Sequence, residues 1–221
     1  MSEDSTTVIR SAGLVVDSLE YGAGLPTQLT DGNYDTLVLS RYAYRWEVMT
    51  PELIEALDVF TTGGGNIVTE WDGASIFMSE YDASYRYAAL APTQLGLFDG
   101  AIGRGGRRGS GTPITLVEPG DPLFTDVTNP FSAGSGTDFF FTITGVPQLR
   151  NVATFAGGSG DFTAATYGTI FRGLHCGGNV IFTTFDWNDE PTEPGFGSLI
   201  GNLVRESFLP APAGLTDTCP L

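Results

Sequence analysis

Lysine is missing from this chain. All ten basic residues are arginine, set against 26 acidic ones in 221, for a formal net charge of −16. Nucleic acid and anionic membrane surfaces are therefore excluded as expected partners, because the chain cannot neutralise a phosphate array. A solubilising acidic surface, a salt-rich habitat or a coding bias against lysine each accounts for the balance. Histidine occurs once, as His175, which excludes multi-histidine metal sites and leaves a single imidazole base. Cysteine occurs twice, as Cys176 and Cys219, too few for a disulfide scaffold or a cysteine-ligated zinc site. No apolar run approaches the roughly 18–20 residues that span a bilayer, so membrane insertion is not expected. The opening "MSEDSTTVIR" is acidic and polar, unlike a signal peptide. No repeat of 20–50 residues is visible.

What is present is enough apolar residue, 41%, for one substantial core. We expect a single domain over residues 1–209 and a Pro-rich tail over 210–221. "YDTLVLS" reads as a buried strand after the turn signal "TDGN". In "TPELIEALDVFTTGGG", Thr50 suits a helix N-cap, Pro51 the first helical position, and Glu52 the positive helix end. Leu53, Ile54, Leu57 and Phe60 form one apolar stripe, and Gly63 to Gly65 stop the helix. "NIVTEW" follows as a strand, which completes a βαβ unit with parallel strands. "GASIFMSE" reads as a helix start. "DFFFTITG", "RNVATFAG" and "AATYGTIFRG" read as antiparallel or edge strands. "GGNVIFTTFDWND" is a buried strand with an acidic end, and "GFGSLIGNLVRESF" is a closing helix. At the N-terminus, "TTVIRSAG" reads as a helix and "LVVDSLEY" as a strand. A doubly wound domain has a central strand before that helix. Either "TVIRSAG" is that strand or the strand is absent, and the helix-end Gly of "SAGLVVDSLEYG" favours the second reading. A slot of unpaired backbone would then invite a strand from elsewhere.

"NYDTLVLSR", the helix ending in "GGGNIV", "VEPGDPLFTDV" and "GGNVIFTTFDWND" together resemble the class I glutamine amidotransferase-like superfamily. They are most similar to its ThuA-like, non-amidotransferase branch, over residues 12–208. The resemblance implies an α/β fold: a flavodoxin-like three-layer sandwich with a mostly parallel sheet, here joined by extra antiparallel or edge strands. Catalytic members carry Gly-x-Cys-x-Gly after the "GGG" strand and His-x-Glu after the late strand. The matching residues are Thr69-Glu70-Trp71-Asp72-Gly73 and Asp186-Trp187-Asn188-Asp189. Trp71 stands where the cysteine would be, and no histidine follows the late strand. The amidotransferase triad is absent, and no glutaminase activity is expected.

Ligands in open parallel sheets bind beyond the carboxyl ends of the strands. Three such ends carry candidate ligand-binding residues: Arg41 and Arg45; Glu70, Trp71 and Asp72; Asp186, Trp187 and Asp189. Carboxylates beside a tryptophan suit a sugar ring, the indole covering its apolar face and the oxygens accepting from hydroxyls. Paired carboxylates also suit glycoside chemistry. The plainer reading is that the arginines neutralise the acids and the tryptophans pack under loops. No cofactor is expected. Calcium is the one ion that "DWNDEPTE" admits, through Asp186, Asn188 and Glu190, but that stretch lacks the sharp-turn Gly and the distant Glu of a calcium loop. "GRGGRRG" reads as a mobile loop, or a phosphate cradle with Arg104, Arg107 and Arg108.

Cys176 and Cys219 either pair or stay free. We expect a disulfide, because the tail has little else to hold it to the sheet. The function expected from these residues is a non-catalytic assembly or interaction domain that self-associates, as a module of a surface or extracellular protein. The partner is then a second copy or another assembly component. A carbohydrate-binding or carbohydrate-active domain is the alternative.

Overall fold

The computed structural model describes residues 3–18, 24–32, 34–39, 50–81, 95–108, 113–132, 138–144, 146–155, 166–168, 170–184, 187 and 196–219. The elements run α1 (Glu3–Ser11), α2 (Leu25–Asp31), β1 (Thr36–Leu39), α3 (Pro51–Thr62), β2 (Asn66–Thr69), β3 (Met78–Tyr81), β4 (Phe98–Arg108) and β5 (Pro113–Leu116). They continue with β6 (Phe131–Ser132), β7 (Asp138–Thr144), β8 (Arg150–Phe155), β9 (Thr166–Gly168), β10 (Ile170–His175), β11 (Gly178–Thr183) and α4 (Phe196–Ser207). None of the described helices is long and apolar enough to cross a membrane.

Local chemistry builds the β1–α3–β2 unit. The Thr50 hydroxyl accepts from Leu53 N at 3.3 Å, and Pro51 occupies the first turn. The Glu52 carboxyl is held below the usual carboxylate range by its own backbone N–H and by Thr50. Leu53, Ala56 and Leu57 are buried, each leucine contributing about 1.5–3 kcal/mol of transfer free energy. β1 then pairs β2 in parallel, from Thr36↔Asn66 to Leu39↔Thr69.

β2 pairs in turn with β11, also in parallel. A seven-stranded sheet follows in the order β1-β2-β11-β10-β8-β5-β6, with a second sheet ordered β3-β4-β7-β9. Between the described strands, parallel pairing occurs at β1/β2, β2/β11 and β3/β4, and the other strand pairs are antiparallel. The sheet is thus more mixed than the expected mostly parallel one. The reason lies in the connections: β10 and β11 are joined by a two-residue turn, which only antiparallel strands permit. The order from β1 to β11 is continuous, so no empty slot opens between these strands.

Strand alternation divides the core in two. Ile67, Val180, Phe182 and Phe171 join a cluster with Leu25, Leu29, Leu53 and Leu57 of α2 and α3. Their neighbours Val68, Ile181 and Ile170 join a separate cluster with Ile9 of α1 and Leu199, Ile200 and Leu203 of α4. Phe182 stacks on Phe77 at 5.9 Å and meets Phe98 edge-on at 5.8 Å, which seats the start of β4 in the first cluster.

Three local readings change. "TTVIRSAG" is helical, as α1, and Gly13 at φ +83° ends it, but residues 14–18 form no strand. "GASIFMSE" is a 3-10 turn, Trp71–Phe77, followed by β3 rather than by an α-helix. "GRGGRRG" lies on β4 through Arg108 rather than in a loop or cradle, because Gly103, Arg104 and Gly106 to Arg108 pair with β7. In both of the last cases a distant strand outweighs weak local propensity.

Candidate functional site

The carboxyl ends of β1, β2 and β11 lie side by side, since Thr69 is the register partner of both Leu39 and Phe182. This is where an open parallel sheet presents ligand-binding residues. Glu70 N donates to Leu39 O at 3.0 Å, carrying the ladder one residue past β2. Gly73 N then donates to Glu70 O at 3.1 Å and starts the 3-10 turn. A Cβ on Gly73 would lie 3.0 Å from Thr69 Cβ, so the small residue lets the turn fold back on the strand.

The conformation of this turn bears on its chemistry. A nucleophile elbow is strained, with its nucleophile thrust out of a sharp strand-to-helix turn. Glu70 instead has φ −109° and ψ 144°, ordinary extended backbone. Among the described non-glycine residues, positive φ occurs only at Asp126 and Cys176, so none of residues 70–77 is held in a left-handed conformation. Glu70 is 0% exposed, and so are Thr69, Ser75, Thr183 and Thr184 around the same strand ends. Thr183 Oγ1 donates to Thr69 O at 2.8 Å and accepts from Trp187 Nε1 at 2.9 Å. Among the described residues, Thr69 Oγ1 and Thr184 Oγ1 find no hydrogen-bond partner.

Of the residues singled out in the sequence, Glu70 is therefore buried at the end of β2. Trp187 is 2% exposed and belongs to the α1/α4 cluster, with its indole N–H satisfied by Thr183. Trp71 and Asp72 open the 3-10 turn, but their side chains lie outside the described set. Arg41, Arg45, Asp186 and Asp189 lie outside the described residues, as do Asn188 and Glu190 of the calcium pattern. The side chains of Arg104, Arg107 and Arg108 are likewise undescribed. Among the described residues no group of three or more His, Cys, Asp or Glu side chains could hold a metal.

One charged constellation escaped sequence reasoning, and a second was read only in part: its disulfide was expected, its polar contacts were not. In the first, Arg172 on β10 pairs with Asp121 at 2.6 Å, and Arg150 on β8 reaches Asp121 at 3.5 Å and Glu118 at 3.2 Å. The sign of it was a charge inside the apolar strand "TIFRGLH", which burial obliges to find a partner. Burial raises the nearby Glu206 carboxyl, against the pull of Arg172. The second constellation surrounds His175 and the C-terminal tail. Cys176 and Cys219 form a disulfide, with Cα atoms 4.4 Å apart. His175 Nδ1 lies 2.9 Å from Thr218 Oγ1, whose hydroxyl donates to Leu174 O at 3.0 Å. With that proton committed, Nδ1–H is the donor to Thr218, and buried Nε2 carries the lone pair. Burial pushes the His175 pKa down, against the upward pull of Asp217 and Asp58.

No protein-family model matches the sequence, and no curated protein matches it. Solved structures do share its fold. A glutamine amidotransferase superposes with a TM-score of 0.58 at 11% identity, over 93% of this chain and 90% of that one. A ThuA-like protein from Bacteroides uniformis gives 0.54 at 12% identity, over 93% and 82%. A beta-galactosidase from Rahnella sp. R3 gives 0.52 at 16% identity, over 96% of this chain but only 28% of that one. The fold is thus one shared with glutamine amidotransferase-like and ThuA-like structures.

Proposed function

We propose that this chain is a non-catalytic domain of the ThuA-like branch, a flavodoxin-like three-layer sandwich that serves assembly or interaction and self-associates. The observation that carries this reading is the turn at the end of β2. Where the superfamily's enzymes hold a cysteine on a strained elbow, this chain has unstrained backbone with Glu70 buried at its start. The beta-galactosidase likeness supports a modular role, since there the same fold makes up about a quarter of a longer chain. A surface or extracellular parent protein is the setting we assign. The net charge of −16 opposes association at low salt and is screened within about 8–10 Å at physiological salt. Light scattering across salt concentration and chelator is the test. Association should strengthen as salt rises, and ammonia release from glutamine should stay far below roughly 1 per second. A strict monomer under every condition, or an ordinary glutaminase rate, would overturn the reading.

A second reading is a carbohydrate-binding domain. It is favoured by the buried Thr69 and Thr184 hydroxyls beside Glu70, which find no partner among the described residues, since sugar hydroxyls are natural partners for such groups. Saturation-transfer NMR with a panel of monosaccharides would reveal it, and a flat response across the panel would remove it.

A further inference from the structure

Beyond Arg172, β10 loses its neighbour β8, because that pairing covers only Ile170 to Arg172. The exposed backbone edge is taken up by the C-terminal tail. Leu174 bridges Asp217 in parallel, and Thr218 N donates to Leu174 O at 3.2 Å. The Asp217 carboxylate accepts from Gly177 N at 2.9 Å and from Cys219 N at 3.0 Å, clasping the turn and the tail together. Upstream, Ala213 O accepts from Arg150 at 3.4 Å. None of residues 208–219 is buried, and none belongs to either apolar cluster. Polar contacts and one covalent bond hold the tail, with no share in the core.

The residue that anchors this bond is unusual. Cys176 and Gly177 form the two-residue turn between β10 and β11, with φ +47° and +82°. Such a turn favours Asn, Asp or Gly, and a cysteine there bears a conformational cost. The β10/β11 ladder flanks that turn on both sides, closing at His175↔Gly178. Cys219, at the other end of the bond, is exposed, and exposed disulfides are the ones thiols attack.

We propose that Cys176–Cys219 is a reducible latch, whose opening by a dithiol reductant frees residues 213–219 from the β10 edge while both cores stay intact. A thiolate of the reductant attacks Cys219 Sγ to form a mixed disulfide. The S–S bond breaks, and Cys176 leaves as a thiolate that takes a proton. The second thiol of the reductant then attacks the mixed disulfide and releases Cys219 as a thiol. Two electrons pass to the protein, and the reductant leaves as its own disulfide. The Gly173–His175 edge is then bare, and Cys176 stays presented on its turn for reclosure.

The test is hydrogen exchange and thiol alkylation of the full chain, with and without dithiothreitol, in the absence of denaturant. Both cysteines should alkylate after reduction. Exchange should rise at least tenfold, confined to residues 173–177 and 213–219, while β2, β11 and α4 keep their protection. Cys219→Ser should reproduce that pattern and show no further response to reductant. Three results would overturn the latch: thiols that alkylate only after unfolding, protection lost throughout the sheet on reduction, or unchanged exchange at Leu174 and Thr218 in the reduced chain.

Discussion

The guanidinium of Arg172 meets the carboxylate of Asp121 inside the protein, Nη1 to Oδ1 at 2.6 Å, with each side chain 1% exposed. The same oxygen accepts from Leu123 N at 3.0 Å and caps the short 3-10 turn Pro122–Phe124. Asn202 of α4 donates to Leu123 O at 3.1 Å and to Thr125 O at 2.7 Å. One loop is thereby bound both to the sheet and to the closing helix. Removing Asp121 leaves a buried positive charge, so Asp121→Ala should destabilise by about 3–5 kcal/mol. The double substitution Asp121→Leu with Arg172→Met should recover most of that loss. Denaturant unfolding of the three proteins decides it. A single-mutant cost under about 1 kcal/mol would mean that Arg172 finds another counter-charge.

Trp187 should behave as core. Trp187→Ala removes the largest side chain of its cluster and should cost about 3–5 kcal/mol. Trp187→Phe loses the bond to Thr183 and part of the ring, for roughly 1–3 kcal/mol. Urea midpoints measure both, and near-neutral values would return the ring to solvent.

His175 gives stability a pH dependence of known sign. Its folded pKa lies below the ordinary imidazole value of 6.5, so the unfolded chain takes up its proton first as pH falls. Stability should therefore drop as pH decreases from about 6.5 toward the folded value and level off below it. Glu206 has the opposite sign, because its folded pKa is raised above 4.5. Its contribution is lost as pH rises through the interval between the unfolded and folded values. His175→Gln should flatten the first slope and leave the second. Unfolding midpoints between pH 4 and 8 for both proteins test this, and parallel curves would refute the assignment.

Close packing of the β10–β11 turn on the start of β2 requires Gly178. A Cβ there would lie 2.5 Å from Gly65 O and 2.9 Å from Gly64 O, both rigid backbone atoms. Gly178→Ala should cost about 1–3 kcal/mol, seen as a fall of roughly 2–4 °C per kcal/mol in thermal melting. An unchanged melt would show that the turn can move aside.

Sequence alone determined the elements whose signals are local. Thr50, Pro51 and the stripe through Leu53 and Leu57 mark α3, and the structure places it at Pro51–Thr62. The apolar runs around Val38, Ile67 and Ile181 mark three strands, and "GSLIGNLVRESF" marks α4. Caps, period and turn glycines are chemistry between residues a few positions apart, so they can be read without the fold. Only the tertiary structure decided which strands became neighbours. β2 lies beside β11, Asp121 finds Arg172, and Asp217 clasps Gly177, all through contacts between residues distant in sequence. The same holds for Trp187: its sequence surroundings admit either a ligand platform or a ring packed under a loop, and the structure buries it in the α1/α4 cluster with its N–H on the Thr183 hydroxyl. Arg172 in an apolar strand declared only that a partner was needed; which carboxylate met it depended on the position of the Asp121 loop over β10.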